Sequence, residues 1–144
     1  MTSIDRSPYA TAQAGLSELV DSAVAAQRVE AMQAAMRVDL IFLTVSYARG
    51  AEEAFTAPSL SSGRRREMAH RAVTSELATA LHVPERTMER MISEAWALST
   101  ELPATLAALR AGDITAQHAE SVAVRAQFIL HDDGARWFAP DDYA

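Results

Sequence analysis

Apolar residues recur at helical spacing from Thr11 to Arg49, and no proline and only Gly15 interrupt the pattern. Such spacing predicts one long helix over residues 11–49. Because its second face becomes apolar only in the later half, we expect this helix to be half-exposed early and nearly surrounded late. Its apolar rows are Leu16, Leu19 and Ala23; then Val29, Met32, Met36, Leu40, Leu43 and Tyr47; and, on the second face, Ala31, Ala34, Val38, Ile41 and Val45.

This helix is longer than the domain that it belongs to. A helix of about 35 residues extends about 50 Å, whereas a compact domain of this size has a radius of gyration of about 15 Å. The helix therefore either kinks, or its early part projects and packs against a partner. We expect a homodimer formed through this helix, and a core helix with some exposed length is the alternative.

The stretch 74–92 predicts a helix-turn-helix, in which two short helices are joined by a tight turn. Ala78 supplies the small residue where the helices cross, and Val83 supplies the apolar residue of the turn. Met88 and Met91 are the apolar anchors on the second helix. An ordinary helical hairpin that packs on its neighbours is the alternative.

Local signals place the ends of the other elements. The turn position that often holds glycine is His82, which costs free energy if its φ angle is positive. Pro103 opens a short helix that Gly112 closes. Thr115 then caps a last helix, which we expect to run to about Leu130.

Together these elements predict an all-α fold, a long N-terminal helix followed by a helical bundle that contains the helix-turn-helix. The chain has 144 residues, nearly half of them apolar and few of them glycine or proline, which is typical of one helical domain. We place this domain at residues 11–130, after a frayed segment at 1–10. Within it a loop at 50–63 precedes the helix-turn-helix and following helices at 64–130, and an acidic, poorly ordered tail occupies 131–144.

The net charge of −6 is unevenly distributed. Residues 64–90 carry six arginines and four glutamates, a net +2, whereas residues 1–63 carry −3 and residues 91–144 carry −5. A basic middle between acidic flanks allows a local patch for phosphate while it weakens general attraction to nucleic acid. Three successive cations at 64–66 oppose the dipole of a helix that starts with them. We therefore expect either that the helix begins near Glu67 or that the cluster binds a polyanion.

Composition and spacing exclude several kinds of site. The absence of cysteine rules out disulfides and thiolate metal ligands. The four histidines at positions 70, 82, 118 and 131 lack ligand spacing, and no phosphate loop or nucleophile motif is present, so we expect no metal, no cofactor and no catalysis. The N-terminus lacks the features of a signal peptide, and the densest apolar run, 38–48, is too short to span a bilayer. We expect a cytoplasmic protein that does not enter the membrane.

The chained phrase ELATALHVPERTMERMISEAWALSTELPATLAALRAGDITAQHAESVA, residues 76–123, resembles domain of unknown function 222, also called the thirteen-E-twelve repeat family. The resemblance covers about residues 16–130 and implies a domain that sits ahead of an HNH endonuclease domain in proteins of high-GC bacteria. The family often has serine where Pro84 stands, so this chain lacks that helix cap. An HNH site needs histidines and an asparagine around a divalent cation, and the chain has no asparagine; nothing after residue 130 resembles the nuclease.

Two functions follow as hypotheses. The first is a non-catalytic module that binds double-stranded DNA and lacks the nuclease half. The second is a helical protein-interaction or dimerisation scaffold with a degenerate helix-turn-helix. Arginines on one shared face would favour DNA, whereas glutamates that neutralise that face would favour the scaffold.

The DNA hypothesis assigns roles to seven residues. The start of the second motif helix reads the groove, so Arg86 and Arg90 would contact guanine edges or phosphates. Glu85 and Glu89 would accept hydrogen bonds from cytosine or repel the duplex. The remaining contacts would come from the basic cluster of Arg64, Arg65 and Arg66.

Overall fold

A computed structural model describes residues 7–130, and this part of the chain consists of six α-helices without strands. The helices are α1 (Pro8–Gly50), α2 (Glu52–Phe55), α3 (Ser62–Ala80), α4 (Glu85–Thr100), α5 (Pro103–Ala111) and α6 (Ala116–Leu130). The prediction of an all-α fold with a long N-terminal helix is confirmed. The acidic tail at 131–144 and residues 1–6 of the segment expected to be frayed lie outside the described residues.

Helix α1 begins at Pro8, three residues before the predicted start, because local capping favours it. The Ser7 hydroxyl accepts a hydrogen bond from the Ala10 backbone N–H at 3.2 Å, and Pro8 occupies the first turn, where its missing N–H costs nothing. Residues 8–10 are therefore helical instead of frayed. The helix contains 43 residues, which corresponds to about 64 Å.

The first half of α1 projects from the domain. All residues from Pro8 to Glu30 are exposed, and we call this segment the arm. Its length of 23 residues corresponds to about 34 Å. Of the two predicted outcomes, a kink or a projecting segment, the uninterrupted helix shows the second.

The second half of α1 packs one face against the other helices, chiefly α3, α4 and α5. The buried residues of this face are small or medium in size, and small side chains let helix axes approach closely. The expectation that this half is nearly surrounded is wrong, because its opposite face remains exposed. The buried residues are Ala31, Ala34, Ala35, Val38, Ile41, Val45 and Ala48.

Helix α3 starts earlier than predicted, at Ser62 instead of near Glu67. The Ser61 hydroxyl accepts a hydrogen bond from the Arg64 backbone N–H at 3.5 Å, so the three arginines at 64–66 lie in the first turns of the helix. This cap compensates in part for three cations near a helix N-terminus. The segment expected to be a loop, 50–63, thus contains α2 and the start of α3.

Helices α3 and α4 are joined by a tight turn at residues 81–84. His82 has a φ of 55° there, as expected for the position that glycine often occupies. Ala78 and Met88 are buried where the helices pack, and the Val83 N–H donates to the Ala78 carbonyl at 3.0 Å. Pro84 precedes α4 and offers no side-chain cap.

Helix α4 is the centre of the bundle, since it contacts α1, α3, α5 and α6. As predicted, Pro103 opens α5, and Gly112 closes it with a φ of 78°. The Thr115 hydroxyl accepts from the His118 N–H at 3.0 Å and caps α6. A Cβ at Gly112 would lie 2.9 Å from the Arg28 Cγ, so the α5–α6 connection touches the base of the arm.

Candidate functional site

The exposed start of α4 carries four of the residues assigned to DNA. Glu85, Arg86, Glu89 and Arg90 are all exposed and share one surface of the helix by their spacing. Met88, on the other side, is fully buried. This surface alternates in sign and has no net charge.

One of its two arginines is engaged by an acidic residue from another helix. The Arg90 guanidinium lies 3.3 Å from a carboxylate oxygen of Glu120 on α6. Burial raises the pKa of neighbouring Glu94 to about 7, and the charge of Glu120 adds to the effect, while Arg90 and Arg37 oppose it. This side of α4 is thus a cluster of two carboxyl groups and two guanidinium groups, so little positive potential remains for phosphate.

The basic cluster at 64–66 lies at the opposite end of α3 from the connection to α4. Arg64 is exposed, whereas Arg65 and Arg66 are half-buried. Arg66 lines an open cleft of about 590 Å³ together with Arg49 and the acidic residues Glu52 and Glu53. These α2 carboxylates supply charge of the opposite sign inside the cleft.

A second, smaller cleft of about 260 Å³ separates the two groups of arginines. Burial and the charge of Arg49 lower the pKa of His70, and the charge of Glu89 acts in the opposite sense. The Arg49 guanidinium lies 4.3 Å from the centroid of the Trp96 ring, and the Phe42 ring lies 5.1 Å from it on centroids. These contacts fix Trp96 in the packing between α1 and α4. The cleft is lined by Val45, Arg49, His70, Glu89, Ile92, Ser93 and Trp96.

The most extensive surface feature is apolar and lies on α1, opposite its buried face. We call it the outward row, and its members are between 52 and 72 % exposed. It spans 18 residues, five turns of 3.6, so it follows one line of the helix for about 27 Å. The outward row is formed by Val29, Met32, Met36, Leu40, Leu43 and Tyr47.

The arm carries a second apolar surface on the other side of the helix. Leu16 and Val20 lie 18 residues, or five turns, before the buried residues Ala34 and Val38, and therefore continue the core-facing side of α1 beyond the domain. We call this surface the arm face. Sequence spacing revealed the apolar rows, but not which of them the domain covers. The arm face consists of Tyr9, Leu16, Leu19, Val20 and Val24, all exposed.

Within residues 7–130, no three His, Asp or Glu side chains lie close enough together to hold a metal ion. In the same part of the chain, no helix has the length and apolar character needed to cross a membrane. Surfaces, and not a chemical centre, are therefore the features to interpret.

A family model described as Domain of unknown function (DUF222) matches residues 16–136 of this chain. The chain belongs to the DUF222 family. No curated protein and no solved structure matches it. The DUF222 match begins at Leu16 in the arm and extends past α6, so it includes the outward row and most of the arm face. The family's description states no activity, and function is therefore argued from these surfaces.

Proposed function

We propose that this DUF222 domain is a self-associating helical scaffold, and that the outward row of α1 is the surface through which two copies dock. The observation that carries the proposal is one unbroken line of six large apolar side chains, each more than half exposed. Single exposed apolar residues are normal on a monomer, but a contiguous apolar surface marks an interaction site.

The distribution of side-chain sizes on α1 supports this proposal. Four of the seven residues on the buried face are alanines, whereas the outward row has only larger side chains. Full burial of one such side chain contributes about 1.5–3 kcal/mol, so covering the exposed half contributes about 1 kcal/mol. Twelve side chains in a dimer then contribute about 10 kcal/mol, which is comparable to the association cost of about 4–15 kcal/mol.

A second copy is a suitable occupant because the row itself contains no charge. Two charges flank its middle, and both interact within their own domain. The Arg110 guanidinium binds the two Asp39 carboxylate oxygens at 3.1 and 2.9 Å, and Arg37 is near enough to Glu94 to affect its pKa. Two rows can thus meet without burying an unpaired charge, which would be costly.

Light scattering of the full chain tests the proposal. We expect a dimeric mass for the wild type and a monomeric mass for Leu40→Glu, because a carboxylate would be buried in the seam. Ser22→Glu is the matched control, since it introduces the same charge on an exposed site of α1 away from the row. Circular dichroism verifies that both variants keep their helix content. A monomeric wild type at high concentration, or a dimeric Leu40→Glu, would refute the proposal.

DNA binding is the second candidate function, and the α3–turn–α4 geometry favours it. The turn has the left-handed residue at His82, and the first turns of α4 are exposed, as groove reading requires. The balanced charge of that surface makes the support weaker than for self-association.

Fluorescence anisotropy with a short duplex at low salt tests this candidate. With about five contributing arginines, log K should fall with log salt at a slope no steeper than roughly −4 to −5. Arg86→Ala should weaken binding and flatten the slope by about one, whereas Glu85→Gln combined with Glu89→Gln should strengthen it. If neither the wild type nor the glutamine variant binds at low salt, this candidate is excluded.

A further inference from the structure

We infer that the second copy packs antiparallel on the outward row, with the two α1 helices crossing symmetrically about Val38. This inference rests on the proposed self-association and assigns its orientation and register. The two-fold contact would be isologous, so each pair of facing residues occurs twice.

The charge pattern of the arm favours the antiparallel orientation. Glu18 lies 18 residues, or five turns, before Met36, so the arm is acidic on the side where the second half of α1 is apolar. In a parallel dimer the two Glu18 side chains would face each other along the same seam, and like charges at such positions repel. In the antiparallel dimer, Glu18 lies level with residue 58 of the other copy, which is beyond the end of α1 at Gly50.

The spacing of the row favours a register centred on Val38. Val29 and Tyr47 are each nine residues from Val38, and Met36 and Leu40 are each two residues from it. An antiparallel copy therefore places Val29 beside Tyr47 and Met36 beside Leu40. Met32 and Leu43, six and five residues from the centre, also fall nearly opposite each other. Large apolar side chains thus meet along the whole row, and the two arms extend beyond the seam in opposite directions.

Engineered cysteines can test this arrangement cleanly because the chain contains none of its own. We would prepare full-length Met36→Cys, Leu40→Cys and Ser22→Cys, oxidise each alone, and oxidise a mixture of the first two. A disulfide needs Cα atoms within about 7 Å, so the mixture should give roughly five-fold more crosslinked dimer than either single variant. Ser22→Cys should not crosslink, since its site lies outside the antiparallel seam.

The outcomes separate this inference from the proposal beneath it. If the reduced variants are dimeric by light scattering but Met36→Cys and Ser22→Cys each crosslink with themselves, the helices are parallel and the antiparallel inference is overturned. Dimers that do not crosslink at any of these positions would overturn the assignment of the row as the seam. Monomeric samples without crosslinks would overturn both the orientation and the self-association.

Discussion

Two residues adopt the left-handed backbone conformation, and they do so at different cost. His82 has a φ of 55° and Gly112 a φ of 78°, and both follow the end of a helix. Glycine reaches this region freely, whereas a residue with a Cβ is disfavoured there by about 1–2 kcal/mol. The α3–α4 turn therefore carries local strain that the α5–α6 turn avoids.

We expect His82→Gly to stabilise the domain by about 0.5–1 kcal/mol, because relief of strain exceeds the entropy cost of the added glycine. Gly112→Ala is the opposite control. It should destabilise the domain by more than about 1 kcal/mol, since its Cβ would also lie 2.9 Å from the Arg28 Cγ. Urea denaturation measures both, and a destabilised His82→Gly would show that the imidazole makes a compensating contact.

Glu94 is the residue whose protonation should alter stability near neutral pH. Burial and the charge of Glu120 raise its pKa from 4.5 to about 7. The folded state therefore binds this proton more tightly than the unfolded state does. Its contribution to stability is fully present below a pH of about 4.5 and is lost as the pH rises to about 7.

We predict that Glu94→Gln stabilises the domain above neutral pH and has little effect near pH 4.5. The carboxyl group is only half-buried, so solvent screening reduces the gain to about 1 kcal/mol. Urea denaturation of both proteins at several pH values measures the difference. His70, whose pKa is lowered, titrates in both proteins, so it cancels in the comparison. A difference that does not change with pH would contradict the assignment.

At the level of elements, the helix ends were predictable where a single residue sets them. Pro103, Gly112 and Thr115 marked α5 and α6 correctly because a fixed φ, a left-handed φ and a side-chain cap act within one turn. The faces of α1 were less predictable, because both rows have helical spacing. Which row is buried depends on where α4 and α5 dock, and the domain covers the smaller side chains around Ala34.

The packing of α4 gives a graded prediction for the core. Met88 is fully buried, while Leu77 on α3 is only partly buried. Met88→Ala should therefore destabilise the domain by about 2–5 kcal/mol, the range for deleting a large buried side chain. Leu77→Ala should cost less, because solvent already reaches part of its site. Equal or reversed losses in thermal denaturation would mean that the α3–α4 contact is wrongly described.

At the scale of the whole molecule, the candidate sites were only partly visible in the sequence. The outward row could be read from its spacing, and the sequence also showed that the long helix outreaches the domain. The neutralisation of the DNA-directed surface could not be read, because Arg90 and Glu120 are 30 residues apart and meet only when α6 packs on α4. Pairings of this kind decide how much charge a surface offers.

Self-association predicts that thermal stability depends on protein concentration. The melting temperature of the wild type should rise as concentration increases, because mass action favours a folded dimer over unfolded chains. Leu40→Glu should melt at one temperature across the same range. A wild-type melting temperature that is independent of concentration would argue against a dimer coupled to folding.

The continuity of α1 also makes the arm a ruler. Its helix runs from Pro8 to Gly50 without a break, so anything held at the tip lies about 34 Å from the domain. Inserting one residue into the arm would lengthen it by about 1.5 Å and turn its tip by about 100°, whereas seven residues would lengthen it by about 10 Å and nearly restore the facing. Natural changes in arm length should therefore alter the phase of the tip far more than its reach.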